Sequence, residues 1–182
     1  METIVDVFQS VMARKPFGQV PAAEDGDLKL FKSRAITRYI VHEYAKNGTP
    51  LIYDTVKKIV PLSIWLEVEA HRFNPPAYKL IWELVAKPNF GLAADPAIIL
   101  ENEAKLAEVL DIYEARLSQS KYLGGDSVTV VDLHHLPEII YLMDTQVKKI
   151  FEACPHFFAW CTDILARPSW SKVLELHKDA NY

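Results

Sequence analysis

The sequence predicts a mainly α fold, in which a small α+β piece of about fifty residues precedes an all-helical domain of roughly 125. Three observations carry this prediction. An Asp-Gly turn signature lies between two short apolar stretches near the start of the chain, and apolar residues at helical spacing follow at once. From Asp54 onward the periodicity is that of helices only. With 182 residues, half of them hydrophobic and 24% charged, the chain is long enough to bury a real core.

The first piece reads as strand, turn, strand, helix. Val20 to Ala23 and Leu28 to Phe31 flank Glu24-Asp25-Gly26-Asp27, and an Asp-Gly pair supplies the positive backbone torsion of a tight hairpin. Ser33 opens a helix with Ile36, Tyr39, Ile40 and Tyr44 on one face, and Gly48 is expected to end it as a left-handed cap. Upstream, Ile4, Val7, Phe8 and Val11 fit the apolar face of a short helix. The expected organisation is an atypical leader at 1–15, the small piece at 16–48 and the helical domain at 55–182.

In the second piece, Thr55 to Phe73 reads as a long helix kinked at Pro61 and stopped by Pro75-Pro76. Tyr78 to Ala86 is helical, followed by a loop at Lys87 to Ala93. Asp95-Pro96 is a capping residue with proline at the first helical position. The helix it starts runs to about Ser118, with Ile99, Leu106, Val109, Leu110, Tyr113 and Leu117 marking its buried face. Leu123-Gly124-Gly125-Asp126 is a turn. Thr129 and Asp132 have the spacing of a reciprocal capping box, with Val128 and Leu133 where a hydrophobic staple falls. Further helices are expected at about 133–143, 145–152, 155–165 and 169–176.

A formal charge of −4 with Lys and Arg scattered among acids gives no basic stripe, which argues against a nucleic-acid partner and for small molecules or protein. No apolar run approaches the ~18 residues of a membrane span. The first dozen residues lack the basic leader of a secretory or transit peptide. Cys154 and Cys161, seven apart on a helical pattern, suit two reduced thiols, so a cytoplasmic protein is expected.

Six motifs then appear in order: Phe-Gly-Gln-Val-Pro at 17–21, Ser-Arg-Ala-Ile-Thr-Arg-Tyr-Ile at 33–40, Trp-Leu-Glu-Val-Glu-Ala-His at 65–71, Leu-Ser-Gln-Ser-Lys-Tyr-Leu-Gly-Gly-Asp at 117–126, Val-Asp-Leu-His-His-Leu-Pro at 131–137 and Ile-Leu-Ala-Arg-Pro-Ser-Trp at 164–170. Together they resemble plant phi-class glutathione transferases from Pro16 to the C-terminus. The resemblance implies a thioredoxin-like domain that binds glutathione, here lacking its first strand-helix-strand, and an all-helical C-terminal domain that forms most of a hydrophobic substrate pocket. It places Gln19 and Val20 at the glutathione backbone, makes Pro21 the cis proline, and puts Ser33 and Arg34 at a helix N-terminus that favours the γ-glutamyl carboxylate. Ser33 is also readable as a plain helix cap, using the same donors. Family members dimerise, and the sequence leaves open whether this chain forms a homodimer.

Two positions depart from the family pattern. Where an acid usually faces the γ-glutamyl ammonium stands Lys32, which is expected to weaken glutathione binding. The second concerns the thiol, whose ordinary pKa of about 8.5 leaves it mostly protonated at neutral pH. The family activates it with a serine hydroxyl after its first strand. Ser10 is the one serine upstream of the loop, with too few residues between it and Pro16 for the intervening helix and strand, so the catalytic residue is left unassigned.

Other constellations read as structure. His134 and Glu138, four apart, lack a third metal ligand, and His71 with Glu67 reads as a solvated pair. Trp65, Val68 and Phe73 are able to line a ligand pocket but are expected in the core, and Asp132 in a cap. Two functions stand beside each other: conjugation of glutathione to hydrophobic electrophiles in detoxification, weak or lost, and non-catalytic carriage of apolar small molecules. A shortened transcript of an ordinary transferase is a third reading.

Overall fold

The computed structural model describes residues 17–18, 20–46 and 48–179, so the expected leader at 1–15, with Ser10, and Gln19 lie outside the described residues. The chain forms two compact units that part between Ile52 and Tyr53.

In the first unit β1 (Ala22–Asp25) pairs antiparallel with β2 (Leu28–Phe31), and α1 (Ser33–Glu43) follows. Gly26 at the turn has φ 55°, the left-handed conformation that the Asp-Gly signature requires. Ile36 is the buried residue of α1. The Tyr39 hydroxyl donates to Asp25 Oδ2 at 2.5 Å, tying helix to hairpin tip, and that bond pushes the phenol up to about 12. Gly48 is not the left-handed cap expected of it: α1 ends at Glu43, with Tyr44 as the capping residue at φ −102°.

The second unit is helical. A continuous helical stretch runs from α2 (Val56–Val68) through α3 (Asn74–Ile81) to α4 (Lys87–Asn89), joined by wide π-helical turns at Glu69–Phe73 and Trp82–Ala86. Pro75-Pro76 therefore does not stop the chain, and the expected loop from Lys87 begins as helix. Each wide turn lies just upstream of a proline, and Asn74 N–H and Lys87 N–H reach back five residues to the Glu69 and Trp82 carbonyls. A proline excludes the regular bond four residues back, and the wide turn carries the chain past it.

Next come α5 (Pro96–Leu117), α6 (Val130–His134), α7 (Leu136–Met143), α8 (Lys148–Glu152), α9 (Pro155–Leu165) and α10 (Pro168–Asp179). Asp95 Oδ1 caps α5, accepting from Ala97 N–H at 2.9 Å. Leu106, Leu110, Tyr113 and Leu117 are buried as expected, whereas Ile99 and Val109 are half-buried. The helix expected over 133–143 is two helices, because Pro137 begins a new one after His135.

Asp132 is fully buried and holds this unit together. Its Oδ2 accepts from the Thr129 amide and hydroxyl, both at 2.8 Å, completing the capping box. Its Oδ1 accepts from Leu123 N–H at 3.1 Å and Trp160 Nε1–H at 3.0 Å. Burial pushes this carboxyl up, while the four donors pull it down. Nearby, the Tyr113 hydroxyl lies 3.0 Å from His135 Nε2, and His135 Nδ1 lies 2.8 Å from the Val131 carbonyl. Donation from Nδ1–H and acceptance at Nε2 satisfy a neutral imidazole at both nitrogens. Phe73, Phe157 and Trp160 surround this pair.

Candidate functional site

The register of the hairpin assembles the candidate site in the first unit. Ala22 pairs with Phe31, so the residues just before β1 and just after β2, Val20-Pro21 and Lys32-Ser33, meet at one end of the ladder. The Val20–Pro21 bond is cis, as expected, and Val20 is exposed. Phe17 and Phe31 pack with ring centroids 6.1 Å apart.

Lys32 occupies the helix cap position, so Ser33 is the first helical residue and not the cap. At φ 70° the Lys32 backbone turns its carbonyl to accept from Ala35 N–H at 3.0 Å and Ile36 N–H at 3.1 Å. Its ammonium sits 5.2 Å from the centre of the Phe17 ring. Phe17 lies within a quoted motif, but nothing local in the sequence marks it as the partner of Lys32. No acid stands in the first turn of α1, so Lys32, Arg34 and the positive end of the helix dipole share one region. The arrangement favours an anion.

Two hydroxyls of the first unit donate to other groups. In the first unit Thr37 Oγ1 donates to the Ser33 and Arg34 carbonyls at 3.0 and 3.2 Å, and Tyr39 donates to Asp25.

The other constellations lie in the second unit. His134 Nδ1 faces Glu69 Oε2 at 3.8 Å, and Glu138 Oε1 accepts from Asn74 Nδ2 at 2.6 Å. Among the described residues no group of three or more His, Cys, Asp or Glu converges to hold a metal ion. His71 and Glu67 form an exposed pair at 3.1 Å. Phe73 is fully buried, Trp65 stands edge-on to Tyr113 at 5.2 Å, and Val68 is half-buried. Cys154 and Cys161 are free and buried, and burial pushes both thiols up. Among the described residues no helix is long and apolar enough to cross a membrane.

The hairpin and helix that gather cations at one end, and the helical unit, each match known proteins. Residues 9–42 match the family described as glutathione S-transferase, N-terminal domain, and residues 73–168 match glutathione S-transferase, C-terminal domain. The chain belongs to the glutathione S-transferase family. It is 59% identical over 164 residues to glutathione S-transferase PARB of Nicotiana tabacum, covering 90% of this chain and 77% of that one. Glutathione transferase F7 from Populus trichocarpa is similar in structure, with 44% identity, a TM-score of 0.86, and coverage of 91% of this chain and 78% of that one. Glutathione S-transferase I from mais, solved in complex with atrazine glutathione conjugate, shares 36% identity with a TM-score of 0.83 over 93% of this chain and 78% of that one.

Proposed function

We propose that this chain is a phi-class member that binds glutathione as co-substrate through Val20, Pro21, Lys32, Ser33 and Arg34, with Gln19 beside them, and conjugates it weakly to hydrophobic electrophiles in detoxification. The observation that carries the reading is the meeting of Val20-Pro21 with the N-terminus of α1 at one end of the hairpin, in a segment that matches the family. There the helix dipole and Arg34 favour a carboxylate.

Weak binding follows from Lys32. Losing a charge-assisted hydrogen bond costs about 1.5–3 kcal/mol, which is about one to two decades in affinity. Weak conjugation follows as well from the thiol, which needs a donor to become a thiolate near neutral pH. The buried reduced thiols fit the cytoplasm, and a homodimer is the assembly the resemblance implies.

The test is turnover of a generic aryl chloride with glutathione. Conjugation above the uncatalysed rate, with a high glutathione KM that falls in Lys32→Glu, is the expected result. Loss of that activity in Ser10→Ala would assign the hydroxyl to Ser10. A rate at background, with binding of an apolar dye, would replace the enzyme with a carrier of apolar molecules.

A further inference from the structure

A cleft of about 240 Å³ lies wholly within the second unit. The wide turn Trp82–Ala86 and α4 supply one wall through Leu84, Val85, Pro88 and Asn89, and the end of α7 supplies the other through Tyr141 and Asp144. The backbone holds both walls. Phe90, Gly91 and Leu92 N–H return to the Ala86, Pro88 and Lys87 carbonyls at 3.1, 2.9 and 2.8 Å, and Thr145 covers the Leu142 carbonyl with its N–H at 3.0 Å and its hydroxyl at 2.8 Å. A cleft with walls fixed in this way has little ordering left to do when a ligand enters.

Its charge has one sign. Asp144 is the capping residue at the C-terminus of α7, where the helix dipole is negative, and no basic residue stands in the last turn. Among the described residues no Lys, Arg or His lines the cleft. On the facing wall Lys87 is turned to the buried Glu83 at 2.6 Å, and Lys148, four residues beyond Asp144, pairs with Glu152 at 3.7 Å. An acid at a helix C-terminus is repelled by the last carbonyls, and a cation bound beside it relieves that repulsion. Leu84, Val85 and Pro88 give the cleft an apolar surface, and Tyr141 adds an aromatic ring, which attracts a cation as well. We propose that this cleft binds small primary amines with an apolar body, the ammonium on Asp144 and the hydrocarbon against Leu84, Val85 and Pro88. The volume is below the ~300 Å³ at which drug-sized pockets begin, so the ligand is of single-ring size. The inference is independent of the glutathione-site reading, whose residues belong to the first unit.

The test is an amide NMR titration of the full chain with phenethylammonium, with 2-phenylethanol as its neutral counterpart. Phenethylammonium is expected to bind saturably with a Kd of about 1 mM and to move the amides of residues 84–89 and 141–145. The alcohol should bind about fivefold more weakly, the most that an exposed ion pair usually contributes, with the gap narrowing as salt rises. Asn is well accommodated at a helix C-terminus, so Asp144→Asn keeps the fold, and it should bring the amine down to the affinity of the alcohol. Equal binding of the alcohol by the unaltered chain, or an amine preference that survives in Asp144→Asn, would overturn the inference. So would shifts that grow without saturating, or no shift in either segment.

Discussion

Replacing Asp132 by Asn changes one oxygen and asks how the second unit is held. The carboxylate takes four donors, two on each oxygen, and every one is buried with it. An amide accepts on one side only. If its oxygen faces Leu123 N–H and Trp160 Nε1–H, its NH2 faces the Thr129 amide, and donor meets donor. The Thr129 hydroxyl is able to rotate and accept, but the Thr129 N–H is not. The flipped amide is worse, because it strands two rigid donors in place of one.

One buried N–H left without an acceptor costs about 1–3 kcal/mol, and the surviving bonds lose their charge assistance. The expected loss is about 2–4 kcal/mol, or roughly 6–12 °C at about 3 °C per kcal/mol for a unit of this size. Thr129→Ala removes only the cap hydroxyl and should cost about 1 kcal/mol. Asp132→Ala leaves all four donors unmet and should cost more than Asp132→Asn. Urea melts followed by circular dichroism at 222 nm supply the three values. Asp132→Asn within 0.5 kcal/mol of the unaltered chain, an outcome well below the range worked from, would refute the reasoning, as would a larger loss in Thr129→Ala.

Glu114, on α5, accepts from His156 N–H and Phe157 N–H at the start of α9 and pairs with the His156 ring. Burial pushes its carboxyl up, but the two backbone donors and the imidazole outweigh that and hold it below its ordinary value. A depressed carboxyl contributes stability above its unfolded pKa and loses it as pH falls through the folded one. The melting temperature should therefore fall on acidification below about pH 4.3, and Glu114→Gln should be less stable at neutral pH and flatten that part of the decline. Amides of residues 20–31 should exchange with solvent much faster than those of 100–117, since a two-stranded hairpin offers little burial and α5 lies in the core; equal protection would refute this. Gly26→Ala meets no atom within 4 Å but keeps φ 55°. It should therefore cost about 1–2 kcal/mol, read as faster exchange of the hairpin amides.

What the sequence made legible is what its near neighbours decide. Asp25-Gly26 fixes the hairpin turn within two residues, and Thr129 with Asp132 fixes a cap within four. Pro75-Pro76 misled because the response to proline was made upstream, by a wide turn whose only sign is the bond from Asn74 back to Glu69. Spacing sets His134 near Glu138, four residues away, but says nothing of Glu69, which a different helix brings to its Nδ1. The same limit hid the second half of Asp132, where Trp160 is 28 residues off, and the cap that Glu114 lends to α9.

At the candidate site the division is sharper. Gln19, Val20, Pro21, Lys32, Ser33 and Arg34 enter as a group through the family resemblance, whereas the posture of Lys32 is not legible in the sequence. Its backbone is fixed by two bonds to its carbonyl and by the adjoining ladder, and neither involves its side chain. The place of its ammonium over Phe17 is worth about 0.5–1 kcal/mol at an exposed position. Lys32→Glu should accordingly leave the hairpin's exchange rates within a factor of about five while lowering the glutathione KM. A collapse of hairpin protection in that variant would mean that the lysine side chain holds the loop as well as weakening glutathione binding.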